Sequence, residues 1–117
     1  MIEPLLVGIG GALGATLRFL VGQFLRAHSF PWATLIVNVT GSLILGVVLF
    51  GTGDTERILL IGVGFCGALT TFSSFSFETV ALWEREDYWL AVGNATANFF
   101  CSLVGFGLGW AIVQIVV

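Results

Sequence analysis

The sequence predicts an all-α membrane protein of four transmembrane helices, with the third broken near the middle of the bilayer. Three observations carry that expectation. The 117 residues are 57% hydrophobic and only 9% charged, with a mean hydropathy of +1.04, whereas a soluble domain carries about 25% charged residues. Polar clusters divide the chain into four apolar stretches, each able to supply the roughly 20 residues that a spanning helix takes. The third stretch alone has several glycines followed by a dense run of hydroxyls. Four spans fill residues 1–117 as one domain, so no ATPase, nucleotide-binding or sensor module is expected within them.

The first span covers about 4–25. The opening MIEPLLVGIGG lacks a basic n-region and Arg18 interrupts the apolar run, so this segment is expected to stay in the mature chain rather than act as a signal peptide. The cluster Arg26-Ala27-His28-Ser29 ends it, and a second span follows over 32–51. Gly53-Asp54-Thr55-Glu56-Arg57 separates this from a third span at 58–83, and Glu84-Arg85-Glu86-Asp87 precedes the fourth, at 89–117. Trp32, Trp83, Tyr88 and Trp89 flank the loops, where amphipathic rings settle at headgroup level. Gly10 and Gly14 in the first span, and Gly105 and Gly109 in the fourth, have the spacing that lets helix backbones approach in lipid.

Four crossings place both termini on one side. Arg26 and Arg85 lie in loops one and three, against Arg57 and the amino group on the terminus side, so the count of positive charges hardly selects an orientation and permits insertion both ways round. Seven acids against four arginines, with no lysine, give a net charge of −3 and exclude a nucleic-acid partner. Cys66 and Cys101 sit in apolar stretches without disulfide or zinc spacing and are expected to be buried thiols. The lone His28 lies in a loop and no nucleophile–base pair or ligand cluster accompanies it, so an enzyme is not expected.

Function in such a chain is sought among polar groups that would be costly against lipid. The second span carries Thr34, Asn38 and Ser42 at a spacing of four, and the fourth carries Asn94, Asn98 and Ser102 at the same spacing. Each set lies on one helical face. Two parallel polar stripes serve either interhelical hydrogen bonding, at about 1 kcal/mol or less per bond, or a polar route.

In the third span Gly62, Gly64 and Gly67 precede Thr70-Thr71-Phe72-Ser73-Ser74-Phe75-Ser76, with Glu78-Thr79 beyond. That composition predicts a broken helix, whose freed backbone groups must face protein, water or an ion; the alternative is an intact helix with hydroxyls bonded to the preceding turn. Phe72 and Phe75, three apart, are either core packing or a pair of electropositive ring edges lining a route for a small, hard, strongly hydrated anion. Arg18 is either a snorkelling anchor or part of an aqueous vestibule. Glu78 either bounds the end of a polar track or hydrogen-bonds a neighbouring helix.

Three stretches read together resemble the CrcB/Fluc family of fluoride channels: Gly10-Gly11-Ala12-Leu13-Gly14-Ala15-Thr16-Leu17-Arg18-Phe19; Phe30-Pro31-Trp32-Ala33-Thr34-Leu35-Ile36-Val37-Asn38, continuing to Gly41; and Gly64-Phe65-Cys66-Gly67-Ala68-Leu69-Thr70-Thr71-Phe72-Ser73-Ser74-Phe75, the most specific. Length and four-span layout match over the whole chain. The resemblance implies a channel that lets fluoride leave the cytoplasm passively and confers fluoride resistance, set in an inner or plasma membrane. It also implies an antiparallel homodimer formed by dual-topology insertion, with two pores along the subunit interface and a structural sodium ion at its centre. Carried onto these residues, Asn38, Phe72 and Phe75 would contact fluoride, with Ser73, Ser74 and Glu78 on the polar track of the third span. The carbonyls of Gly67 and Thr70 would hold Na+, and Arg18 would sit at an aqueous entrance. Thr34, Asn98 and Ser102 join the pore, the fourth-span residues mainly on their spacing. Ala33 and Ala68 stand where the family often has glycine, which makes the backbone there less permissive without removing a side-chain donor. A small dual-topology multidrug/proton antiporter is the alternative, but it needs a buried carboxylate, for which Glu78 is the one candidate. A purely structural membrane subunit would not need a hydroxyl-dense interruption.

Overall fold

The computed structural model describes residues 1–26 and 29–117. Ala27 and His28, and with them the assignment of His28 to a loop, lie outside the described residues. Four helical segments among those described are long and apolar enough to cross a membrane: α1 (Glu3–Phe24), α2 (Trp32–Gly51), a third span over Thr55–Glu84 and α6 (Tyr88–Val116). Pro4 enters the first turn of α1 beside Glu3, where its missing N–H is no loss and the acid faces the positive end of the helix.

The third span is not one helix. It begins with a turn, α3 (Thr55–Arg57), whose N-cap Asp54 accepts the Glu56 N–H at 3.0 Å. It then continues as a π-helix over Ile58–Cys66, regains α geometry for one turn in α4 (Gly67–Leu69), breaks at Thr70 and Thr71, and resumes as α5 (Phe72–Glu84). The break falls at the middle of the 30-residue segment, where the composition placed it. The nine-residue π stretch was not foreseen, and the span starts three residues earlier than the apolar run suggested.

Packing accounts for the glycines. The first span lies along the π-helix, where a Cβ on Gly10 or Gly14 would strike the backbone oxygen of Leu60 or Phe65, and one on Gly64 would come within 2.6 Å of the Val7 oxygen. Only backbone hydrogens fit between these helices. The second and fourth spans cross in the same sense, and Gly105 faces Val39 as Gly109 faces Leu43, so α2 and α6 advance together in parallel. At the other end, Glu86 takes a left-handed φ of 66° in the turn between α5 and α6. Trp83 meets Tyr88 across that turn, with ring centroids 4.6 Å apart and planes at 68°.

Burial runs opposite to that of a soluble domain. Asn94 is 0% exposed, with Thr34, Thr71 and Asn98 also buried, while Phe72, Phe77 and Trp89 are 75% exposed or more. Lipid or a second protein must cover such a surface. The two cysteines separate: Cys66 is buried as expected, but Cys101 is exposed on α6. Cys101 stands one residue before Ser102, off the Asn94–Asn98–Ser102 stripe that turns inward, and so faces outward.

Candidate functional site

The break organises the site. Thr70 and Thr71 are both extended, with ψ of 153° and 116°, so the chain leaves the helix for two residues. Thr70 closes the first half by donating its N–H and its hydroxyl to the Cys66 carbonyl, at 3.0 and 2.9 Å. Thr71 opens the second half as N-cap, its hydroxyl accepting the Ser74 N–H at 3.1 Å.

Asn38 takes both backbone groups of Thr71 at the break. Thr71 N–H donates to Asn38 Oδ1 at 2.7 Å, and Asn38 Nδ2 donates back to the Thr71 carbonyl at 3.2 Å. The second Asn38 hydrogen goes to Asn98 Oδ1 at 2.9 Å. Asn98 Nδ2 donates to Asn94 Oδ1 at 2.9 Å and to the Asn94 carbonyl at 3.0 Å. Asn94 Nδ2 donates to Thr79 Oγ1 at 2.9 Å, and the Thr79 hydroxyl donates to the Phe75 carbonyl at 2.7 Å. Both amide hydrogens of Asn38 and of Asn98 are therefore engaged. In this conformation the Asn98 side chain is a connector within the protein.

Two hollows flank this arrangement. The first, about 540 Å³, is lined by Arg18, Arg26 and Arg85 together with Thr34, Ser74 and Glu78. Three guanidinium groups around one water-accessible hollow raise the local anion concentration. Arg18 reaches from the first span toward the Thr70 carbonyl at 3.5 Å. Glu78 accepts the Thr34 hydroxyl at 2.8 Å through Oε1, while its Oε2 is buried without a partner among the described residues. The second hollow, about 610 Å³, is a groove along the outside of the chain, lined by Asn38, Ser42, Asn98, Ser102, Phe72 and Phe75, and by Gly67 and Thr70. Thr71 lines both and forms the wall between them.

The structure thus places every expected site residue but one at one of the two hollows. Ser73 lines neither; it is exposed on the first turn of α5, its hydroxyl 3.3 Å from that of Thr71. Phe72 and Phe75 are neighbours, with ring centroids 5.5 Å apart and planes at 48°, and Phe72 is 79% exposed. Nothing in the sequence sets Thr71 or Thr79 apart from the hydroxyls around them. A threonine three residues before Ser74 is a capping signal, but within a run of six hydroxyls it does not stand out.

Fold and site together define a small polytopic membrane protein with a hollow on each side of the break in its third span. The chain belongs to the CrcB family: residues 5–110 match the family model described as CrcB-like protein, Camphor Resistance (CrcB). It is 51% identical over 111 residues to fluoride-specific ion channel FluC 2 of Haloarcula marismortui, covering 95% of this chain and 93% of that one. A second FluC 2, from Rhodococcus jostii, is also 51% identical over 111 residues, with 94% and 97% covered. Fluoride-specific ion channel FluC of Koribacter versatilis is 41% identical over 118 residues, with 92% of each covered.

Proposed function

We propose that this protein is a fluoride channel that exports F− passively across an inner or plasma membrane and so confers fluoride resistance. The observation that carries the proposal is the similarity, over at least 92% of both chains, to relatives named fluoride-specific ion channels. Fluoride enters cells as its neutral acid, which crosses lipid and dissociates inside. A route for the trapped anion is then sufficient, and no energy source is needed.

The geometry suits that task. Arginines line the first hollow, where an anion is gathered while still hydrated. Beyond Thr71 the groove offers ring edges from Phe72 and Phe75 and hydroxyls from Ser42 and Ser102, all without formal charge. Thr34, Ser74 and Glu78 mark the passage from the hollow to the break, with Ser73 beside it. The antiporter alternative has no support from the relatives, which are named for fluoride.

The groove lies on the outside of one chain, so a second copy is needed to enclose it. In our reading that copy is inverted, giving an antiparallel homodimer with two pores. The residues also fit a central Na+. The Thr71 N–H that a continuous helix would give to the Gly67 carbonyl goes to Asn38 instead, Gly67 is exposed with open space around it, and Thr70 ends its helix with only the long Arg18 contact on its carbonyl. Gly67 and Thr70 of two chains would supply four hard oxygens, the type of donor that such cations take. The bound cation would supply positive charge holding two carbonyl-rich breaks together.

The test is fluoride efflux from liposomes containing the purified protein, read with a fluoride electrode. Fast, electrogenic fluoride loss with chloride near background is expected. Equal chloride flux, or fluoride movement that stops without a proton gradient, overturns the reading.

A further inference from the structure

We propose that Thr79 and Asn94 are positioning residues of the permeation path, which brace the Asn38 amide, through Asn98, in the sense that Thr71 sets. The inference rests on the reading of Asn38 as a fluoride contact and assigns roles to two residues that lie two and three hydrogen bonds beyond it.

A side-chain amide is nearly symmetric in shape, so packing alone does not decide which end carries hydrogens. Here hydrogen bonding decides it at every step. At one end of the chain of bonds stands the Thr71 N–H, which can only donate, and at the other the Phe75 carbonyl, which can only accept. Because the Thr79 hydroxyl gives its hydrogen to Phe75, it must accept from Asn94, which turns the Asn94 oxygen toward Asn98. That oxygen takes one Asn98 hydrogen and the Asn94 carbonyl the other, so Asn98 presents its own oxygen to Asn38 Nδ2, the same sense that Thr71 imposes on Asn38 from its other side. The five bonds run head to tail, 2.7 to 2.9 Å long, and each polarises the next.

The consequence falls on the anion. With this sense, the Asn38 hydrogens face two acceptors, and the longer of the two bonds, 3.2 Å to the Thr71 carbonyl, is the one a passing anion can borrow. Reversed, the amide would set an oxygen lone pair on the path of a desolvated anion. Thr79 and Asn94 thus act on the ion without touching it. The chain of bonds also starts at the break and ends beside the pore ring Phe75, so the donor and the ring are held by one network.

The experiment uses the full-length protein in vesicles of phosphatidylethanolamine and phosphatidylglycerol, with Thr79→Val, Thr79→Ser, Asn94→Leu, Asn38→Ser and the double variant Thr79→Val/Asn38→Ser. Thr79→Val keeps the shape and loses the hydroxyl; it is expected to slow fluoride efflux about tenfold, the scale of one buried hydrogen bond, while eluting on gel filtration as the wild type does. Asn94→Leu should behave alike. Thr79→Ser, which restores the hydroxyl, should bring efflux back to within about twofold of wild type. Since the effect passes through Asn38, the double variant should be no slower than Asn38→Ser alone. Wild-type efflux in Thr79→Val, a Thr79→Ser variant as slow as valine, or additive losses in the double variant overturns the proposal and leaves the channel reading intact. Failure of both Thr79→Val and Asn94→Leu to assemble assigns the two residues to folding and also overturns it. Absence of fluoride efflux from the wild type removes the channel reading and this inference together.

Discussion

Asn38 and Thr71 are joined twice, by Thr71 N–H to Asn38 Oδ1 at 2.7 Å and by Asn38 Nδ2 to the Thr71 carbonyl at 3.2 Å. One side chain from the second span therefore serves both backbone groups of Thr71 where the third span breaks. An interrupted helix at that depth must have its free N–H and C=O groups satisfied by protein, because hydrocarbon offers no partner. The side chain that satisfies them is the same one that lines the groove, so stability and conduction are coupled at Asn38.

That coupling sets the order of effects at Asn38. An aspartate keeps an acceptor for the Thr71 N–H but puts oxygen against two oxygens, the Thr71 carbonyl and Asn98 Oδ1, and adds negative charge to an anion path. Asn38→Asp is therefore expected to abolish fluoride efflux, while Asn38→Ser, neutral but too short to bridge, retains a measurable fraction. Efflux from liposomes ranks the two, and an aspartate variant faster than the serine variant contradicts the assignment.

Thr71 also caps α5. Thr71→Val retains the shape and removes the oxygen that accepts the Ser74 N–H. Loss of an N-cap costs about 1 kcal/mol in water, and more is expected where the freed N–H meets no solvent. Thermal unfolding of the detergent-solubilised protein should start several degrees lower, with Thr71→Ser restoring it. An unchanged unfolding temperature would mean that water or lipid takes over the cap.

The rings of Phe72 and Phe75 are 5.5 Å apart and line the groove with Asn38. Replacing either by isoleucine exchanges an electropositive edge for hydrocarbon at modest change in volume. We expect both variants to assemble and both to lose most of their fluoride flux. Near-normal flux in both returns the pair to simple packing.

Much of this fold was legible because a membrane makes polar residues conspicuous. Charged clusters separated the four spans, although Thr55–Arg57 is itself helical, and glycine beside a hydroxyl run marked the break. The π-winding of Ile58–Cys66 was not visible. It lies where the first span packs on Gly64 and the backbone around it, and nothing in an all-apolar stretch signals such contact. Which polar residues face an ion and which face each other was equally hidden. Asn98 and Ser102 sit one turn apart on the same stripe, yet the Asn98 donors are consumed by the Asn94 side chain and carbonyl, a distinction that depends on side-chain orientation rather than spacing. Glu78 kept both of its readings, since it bonds a neighbouring helix at Thr34 and also faces the arginine-lined hollow.

The first-span glycines offer a test of close packing. A Cβ on Gly10 would strike the Leu60 backbone oxygen, whereas one on Gly8 meets nothing within 4 Å. Gly10→Ala should therefore destabilise by about 1–3 kcal/mol, the usual cost of overpacking, and Gly8→Ala should be neutral. Thermal unfolding of the two variants side by side decides it; equal behaviour would place the first span farther from the third than the structure has it.

The last prediction concerns the inverted second copy. One chain leaves its groove open and Gly67 uncovered, and the positive charges in its loops, Arg26 and Arg85 against Arg57 and the amino group, hardly select an orientation, so insertion in either sense is open to it. A twofold axis in the membrane plane makes the contact surface self-complementary. Because the break lies at the middle of the third span, the same axis brings two breaks to one depth, where Gly67 and Thr70 carbonyls from both chains can share a cation. Cysteine labelling in intact cells tests it, after Cys101, exposed on α6, is changed to serine so that it gives no background. Thr55→Cys and Arg85→Cys, on opposite loops, should each label from both sides of the membrane, and an inverted tandem fusion should conduct where a parallel one does not. Labelling of every copy from one side only, or activity confined to the parallel fusion, defeats the antiparallel dimer and the sodium site with it.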